Sequence, residues 1–351
     1  MSEEKQQLKK QYYPINTYLR SYLKTYKRLT KTTIFYDDLL RFQGSIAVFD
    51  KEDKDTLWVR VYYNEFEKNE IDSSLKKIYT LLHSDGDEAS IEFLSVDYID
   101  FCTFGNSKPF RVKIRNILND NYTHFYIKKA DASRIFGLEL EHIISPNSIN
   151  FLVFEDTLIE EHIVGIPGDI FLESNLLECN ENEKTQIAKE FVKFNERCMI
   201  GLLGDMRSYN FVVIPIYDFD QRIFKIRAID FDQQSYEGSF KLYKPHLFKE
   251  NFKFSELVQN KLKQKSIIQY QIEERSIIVK RLIDTKTRLQ SLVEAMKSTK
   301  LAPDEHIHQL QEEIYEVTLD MNFKNANSMG EIVQAALSFM ERNYKYEEND
   351  F

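Results

Sequence analysis

The chain is poor in the residues that loosen or staple a backbone: its 351 residues include only 10 glycines, 7 prolines and 3 cysteines. So little Gly and Pro excludes collagen-like, linker-rich and low-complexity architectures. Cys102, Cys179 and Cys198 are odd in number, widely separated and without Cys-x-x-Cys spacing. That excludes a disulfide framework and reads as reduced, buried thiols. His306 and His308 lie two residues apart, on different faces of a helix, with no third ligand in the pattern, so they do not predict zinc. No apolar stretch approaches the length that crosses a bilayer, and Met1-Ser2-Glu3-Glu4-Lys5 carries no apolar signal core. The expectation is a cytoplasmic protein without a membrane span. A basic excess is missing too: the net charge is −9, against the phosphate-neutralising surplus that a nucleic-acid-binding surface needs. The charge is uneven, because residues 1–32 hold eight Lys or Arg against two Glu and leave −15 to the remainder. This segment reads as a solvated helical face, with a basic arm for an acidic partner or anionic surface as the alternative. Its tyrosines, from Tyr12 to Tyr26, suggest packing on the rest of the chain.

What is present is enough for more than one core, since 42% of the residues are hydrophobic. Periodicity predicts mostly helix over 6–42, a hairpin over 44–63, a helix over 65–83 ended by Ser84-Asp85-Gly86, and strands over 95–102 and 110–117. Phe125-Tyr126-Ile127-Lys128 is a strand ending in Lys, and Ala130-Asp131-Ala132-Ser133 leads into a helix through Ile144. Phe151-Leu152-Val153-Phe154 and Leu158–Phe171 follow, the latter with an acidic-apolar strand and a Gly165-Ile166-Pro167-Gly168 turn. A helix over 183–200 then precedes a strand over 211–217, and from about Phe254 the chain is strongly helical. Leu282, Leu289, Leu292, Val293 and Met296 form a stripe that reads as core, a partner-binding coiled coil being the sharper alternative.

The chemistry-bearing residues lie in Gly204-Asp205-Met206-Arg207-Ser208-Tyr209-Asn210 and Ile229-Asp230-Phe231-Asp232. An Asp, an Asn five positions later and a second Asp after a strand are the polar groups of a phosphoryl-transfer site. One carboxylate takes or orients the nucleophile's proton, while the amide oxygen and the second carboxylate are the hard ligands that Mg²⁺ prefers. Taken alone, Asp-x-x-x-x-Asn equally describes a polar turn between a helix and a strand.

The Asp205-to-Asn210 interval matches the protein-kinase catalytic loop. Together with the order of Lys128, helix, hinge-like turn, loop and Ile-Asp-Phe-Asp, the chain resembles the protein-kinase-like superfamily. Within it, the resemblance is to the aminoglycoside-phosphotransferase and other atypical branches. It spans Phe110 to Asp232, about a third of the chain. The resemblance implies an α+β, two-lobed fold: an N-terminal extension over 1–94, a small lobe over 95–162 and a mainly helical large lobe over 163–351. It implies ATP and Mg²⁺ as cofactors and phosphoryl transfer to a hydroxyl acceptor. Asp205 would be the base; Asn210, Asp230 and Asp232 the metal ligands; Lys128, or Lys129 in the other strand register, the phosphate clamp. Glu139 or Glu141 would orient that lysine, and the backbone of Glu161, His162 and Ile163 would face the adenine.

The pattern departs from the family at two places. Leu203 and Gly204 stand where a His usually precedes the catalytic Asp, and the hairpin Thr103–Pro109 has one glycine where a glycine-rich phosphate loop belongs. No Ala-Pro-Glu follows Asp232, so an activation loop is not predicted. The residues therefore support two readings: an active phosphotransferase, or a degenerate pseudokinase serving as a nucleotide-binding or protein-interaction scaffold through its C-terminal helices. Nucleotidyl transfer would use the same groups.

Overall fold

The structure is a computed structural model that describes residues 10–31, 34–83, 86, 88–105, 107–218 and 221–344. It is an α+β protein, with an antiparallel sheet toward the N-terminus and a helical C-terminal region. The chain forms two compact units. The first comprises the chain up to residue 15, 23–131 and 150–162; the second comprises 16–22, 132–149 and everything from 163 on.

The first unit is built on seven strands: β1 (Gly44–Phe49), β2 (Asp55–Tyr62), β3 (Leu94–Cys102), β4 (Phe110–Asn116), β5 (Tyr122–Lys129), β6 (Phe151–Phe154) and β7 (Thr157–Glu161). They lie in the order β1-β2-β3-β4-β5-β7-β6, every neighbour antiparallel. The expected 44–63 hairpin therefore extends the same sheet that carries Lys128. Strand side chains alternate between faces, and β4 shows it: Phe110, Val112 and Ile114 are buried, while Arg111, Lys113 and Arg115 lie between them, partly exposed. Against the apolar face packs the helix Glu65–His83, whose Ile71, Leu75, Ile78 and Leu82 recur at spacings that line one helical stripe. Asn64 starts this helix by accepting the backbone N–H of Glu67 at 2.9 Å. Ser84 and Asp85 of its expected stop lie outside the described residues; Gly86, at φ +82, donates its N–H to Thr80 O.

The other face of the sheet is aromatic and charged. Asp100, fully buried, receives Arg60 at 3.0 Å and Arg111 at 2.8 Å, and those guanidinium groups lie over the rings of Tyr98 and Trp58.

The expectation of mostly helix over 6–42 fails. The described part of that stretch holds only Thr17–Thr25 and Tyr36–Leu39 as α-helix, because Lys27 turns at φ +56 and residues 28–30 pair with β6. Residues 1–9, which include Lys5 and Lys9 of the expected arm, lie outside the described residues.

The second unit centres on the helix Glu181–Gly201. Asn180 and Glu183 form a reciprocal capping box at its start, and Leu202 ends it in the left-handed region at φ +50. Ile187, Phe191, Phe194 and Cys198 make its buried stripe, and Phe191 stacks on Phe254 with centroids 5.0 Å apart. A small sheet of β8 (Ile166–Pro167), β9 (Phe211–Asp218) and β10 (Gln221–Ala228), in the order β10-β9-β8, lies beside it. The helix Gln264–Asp284 crosses the central one, and two buried ion pairs join them: Arg197 to Glu274 and Arg275 to Glu196, each at 2.8 Å. The stripe expected from Leu282 to Met296 is divided by Thr285 between two helices, and Leu282, Leu292, Val293 and Met296 are buried within this unit. That is the core reading, with no exposed seam left for a coiled coil at those positions. Where Lys286–Lys297 meets Met329–Asn343, Gly330 is indispensable: a Cβ there would lie 2.4 Å from Lys297 N.

Candidate functional site

The second unit brings Asp205, Asn210, Asp230 and Asp232 together. After the central helix stops at Leu202, Gln234 Nε2 covers the orphan carbonyls of Gly201 and Leu202, and an isolated bridge ties Leu203 to Gln234. The chain then turns at Asp205, which holds φ +56, a conformation that costs a non-glycine residue about 1–3 kcal/mol and that surrounding contacts must impose. Those contacts are present. Asp205 N donates to Leu242 O at 3.1 Å, Asn210 Nδ2 donates to Asp205 O at 2.6 Å, and Asn251 Nδ2 donates to Met206 O at 2.8 Å. Asn210 also joins the loop to the strand end, because its carbonyl accepts the backbone N–H of Ile229 and Asp230.

Electrostatics complete the loop. Asp205 Oδ1 accepts Arg207 Nε at 2.7 Å, and the same guanidinium reaches Glu250 at 2.9 Å. Burial pushes the Asp205 carboxyl above the usual range; Arg207 opposes this, while the charges of Asp230 and Glu250 add to it. Asp230 and Asp232 are tied by a cation instead of being left to repel. Arg134 Nη1 donates to Asp230 Oδ1 and to Asp232 Oδ1, both at 2.8 Å, and Arg134 itself is only 1% exposed. Asp232 N donates to Asp230 Oδ1 at 3.0 Å, which narrows the turn further.

The lysine expected to clamp phosphate lies in the first unit. Lys128 points inward, as the chosen strand register requires, and Lys129 is exposed, 5.4 Å from the Tyr12 ring. Lys128 Nζ is bonded to Glu160 Oε2 at 2.8 Å, and the two side chains are 8% and 6% exposed. The expected orienter, Glu139, is engaged differently: in the second unit it accepts Arg288 at 2.6 Å and the hydroxyl of Tyr22. Sequence distance hides both choices, since Glu160 reaches Lys128 across the β5–β7 pairing and Arg288 comes from a helix about 150 residues further on. Glu141 accepts Asn147 Nδ2 at 3.4 Å.

Of the backbone groups expected to face adenine, Glu161 N donates to Asn150 O at 3.0 Å and His162 N to His124 O at 3.2 Å. Ile163 opens the second unit's long C-terminal segment. In the hairpin Thr103–Pro109, Thr103 N is bonded to Leu57 O and Pro109 O accepts Cys102 N; Asn106 lies outside the described residues.

A magnesium ion would have to compete with a cation at this donor set. Arg134 already supplies positive charge to both carboxylates, so a metal ion at the same oxygens must displace the guanidinium or sit beside it. Among the described residues no group of three or more His, Cys, Asp or Glu could hold a metal ion, and no helix is long and apolar enough to cross a membrane. The residues that sequence reading missed are the counter-ions: Arg134, Arg207, Glu160 and Glu250. Arg134 carries no local signal, being one helical residue past Ser133. No protein-family model and no curated protein matches this chain.

Proposed function

We propose that this chain is a two-lobed, kinase-like protein whose phosphoryl-transfer residues have become an internal ion-pair network, and that it works as a protein-interaction scaffold without Mg²⁺·ATP chemistry. The order of elements supports the kinase-like part: a strand ending in Lys128, the helix Ala132–Ile144, the β6–β7 hairpin, the helix Glu181–Gly201, the Asp205–Asn210 loop, the β9–β10 hairpin and Asp230. The observation that carries the scaffold part is Arg134, buried and bonded to both Asp230 and Asp232. Lys128, held by Glu160, and the two hinge amides, already donated within the first unit, point the same way.

Thermal unfolding with Mg²⁺ and ATP tests it. A ligand at a hundredfold excess over its Kd adds about 2.7 kcal/mol to a protein that binds it only when folded. The wild-type chain is expected to show no such gain. Arg134→Gln, by freeing the carboxylates, is expected to acquire Mg²⁺-dependent stabilisation. A nucleotide- and Mg²⁺-dependent gain in the wild type would sink the scaffold reading without any variant being needed.

One observation favours the active phosphotransferase as second reading: a carboxyl held at a strained φ, raised by burial and coupled to Asp230, is the environment of a catalytic base. In that reading Asp205 takes the acceptor hydroxyl's proton, and Arg134 must first leave Asp230. Turnover from ATP would then fall about 10²–10⁴-fold in Asp205→Asn with nucleotide affinity retained.

A further inference from the structure

The two edges of the seven-stranded sheet are treated unequally. At the β6 edge, residues 28–30 lie alongside: Thr30 N donates to Val153 O at 3.0 Å, Val153 N donates to Arg28 O at 2.8 Å, and Arg28 covers the Phe151 ring. At the other edge β1 pairs with β2 on one side, and among the described residues no strand or segment pairs with its outer side. The strand reads Gly44-Ser45-Ile46-Ala47-Val48-Phe49, with no charge and no proline. All its residues but Val48 are exposed, Ile46 to 61% and Phe49 to 57%. Of the usual devices that protect an edge, β1 has one, an irregularity in its pairing between Val48 and Phe49.

An unprotected strand edge is completed by another strand, because its row of backbone donors and acceptors fits that geometry. We propose that β1 pairs antiparallel with β1 of a second copy of this chain, joining two seven-stranded sheets across a twofold axis. The occupant follows from charge and symmetry. The six residues of β1 are uncharged, so two copies meet along the strand without like charges set opposite one another. An isologous antiparallel pair also needs one residue to face itself, since side chains of like face must meet. Centred on Ala47, the pairing sets Ile46 against Val48 and Ser45 against Phe49, giving β-branched and aromatic cross-strand neighbours at both ends. So short a contact makes a dimer that depends on concentration, not an obligate one.

Sedimentation of the purified chain over a wide concentration range tests the proposal. Dimerisation is expected, and Ile46→Lys, at an exposed position and with the retained fold checked by thermal unfolding, should weaken it about tenfold or more. Ala47→Cys should give a disulfide-linked dimer under mild oxidation, since the two substituted positions face each other. A chain that stays monomeric at every concentration, or a dimer indifferent to Ile46→Lys, overturns the inference; so does a cross-link absent from Ala47→Cys while the dimer persists.

Discussion

Ion pairs on the open face of the sheet and ion pairs inside the helical unit use the same chemistry to different ends. On β3 and β4, Arg115 meets Asp97 at 3.0 Å with side chains 39% and 17% exposed. In the second unit, Arg275 meets Glu196 at 2.8 Å with side chains 6% and 1% exposed. Water screens the first pair and leaves it worth little; the second has been stripped of water and must satisfy itself. Burial still pushes the Glu196 carboxyl above its ordinary range despite Arg275 and Gln271. The lesson for the candidate site is that Lys128 belongs to the second kind, and that Arg134 does so on its own side, since Asp230 is 38% exposed. Their charges are already answered, and recruiting them for a ligand means replacing a partner that burial makes costly to lose.

The largest expected effect comes from breaking a buried pair on one side only. Arg275→Met leaves Glu196 charged without its guanidinium and should cost about 3–5 kcal/mol in urea unfolding. Adding Glu196→Leu should recover most of that loss. If the single variant is as stable as the wild type, the pair is not the desolvated contact described. Lys128→Met sharpens the comparison inside the sheet unit, where a cost approaching the same size is expected because Glu160 is equally buried. A loss below about 1 kcal/mol would mean that the pair behaves like its exposed neighbours on β4.

A smaller effect separates the units by pH. On the open face of the sheet His124 is held down to about 4 by burial, then by His162, Arg111 and Lys113, with Asp100 opposing. Its Nε2 meets the hydroxyl of Tyr98 at 3.0 Å, and the Tyr122 ring packs edge-on against it. The unfolded imidazole takes its proton near the ordinary value of 6.5, the folded one only near 4. Between those values the unfolded chain binds the extra proton, so this contribution is complete above about 6.5 and is lost as pH falls toward 4. His162, also lowered by burial and by Arg111, acts in the same direction. The urea midpoint should therefore fall on acidification through this window, and His124→Gln should flatten the fall; an unchanged profile in the variant would place the effect elsewhere. The smallest change is Arg115→Ala, expected to shift the urea midpoint least of these variants and to lose even that shift at high salt.

Local features were legible in sequence. The hairpin 44–63, the helix Glu65–His83, the strands carrying Phe110 and Phe125, and the helix Glu181–Gly201 follow from periods of two and of three to four. The Asp205-to-Asn210 loop was legible because its spacing is short, and its two ends are bonded to each other. The N-terminal stretch misled, since its amphipathic pattern is overridden where residues 28–30 run beside β6. Glu139 misled for a related reason: its helical position was correct, yet the cation that fills its side is Arg288.

The sequence by itself determined most of the helices and strands from Gly44 on and the short Asp205–Asn210 loop, because those depend on residues a few positions apart. Tertiary structure alone decided what each charge meets. Arg134 lies 96 positions from Asp230 and 98 from Asp232, and it reaches them because the helix Ala132–Ile144 packs close enough for Gly137 to abut Phe231. Once such groups leave water, the cost of an unanswered charge selects the partner, and that selection is made by proximity in the folded chain.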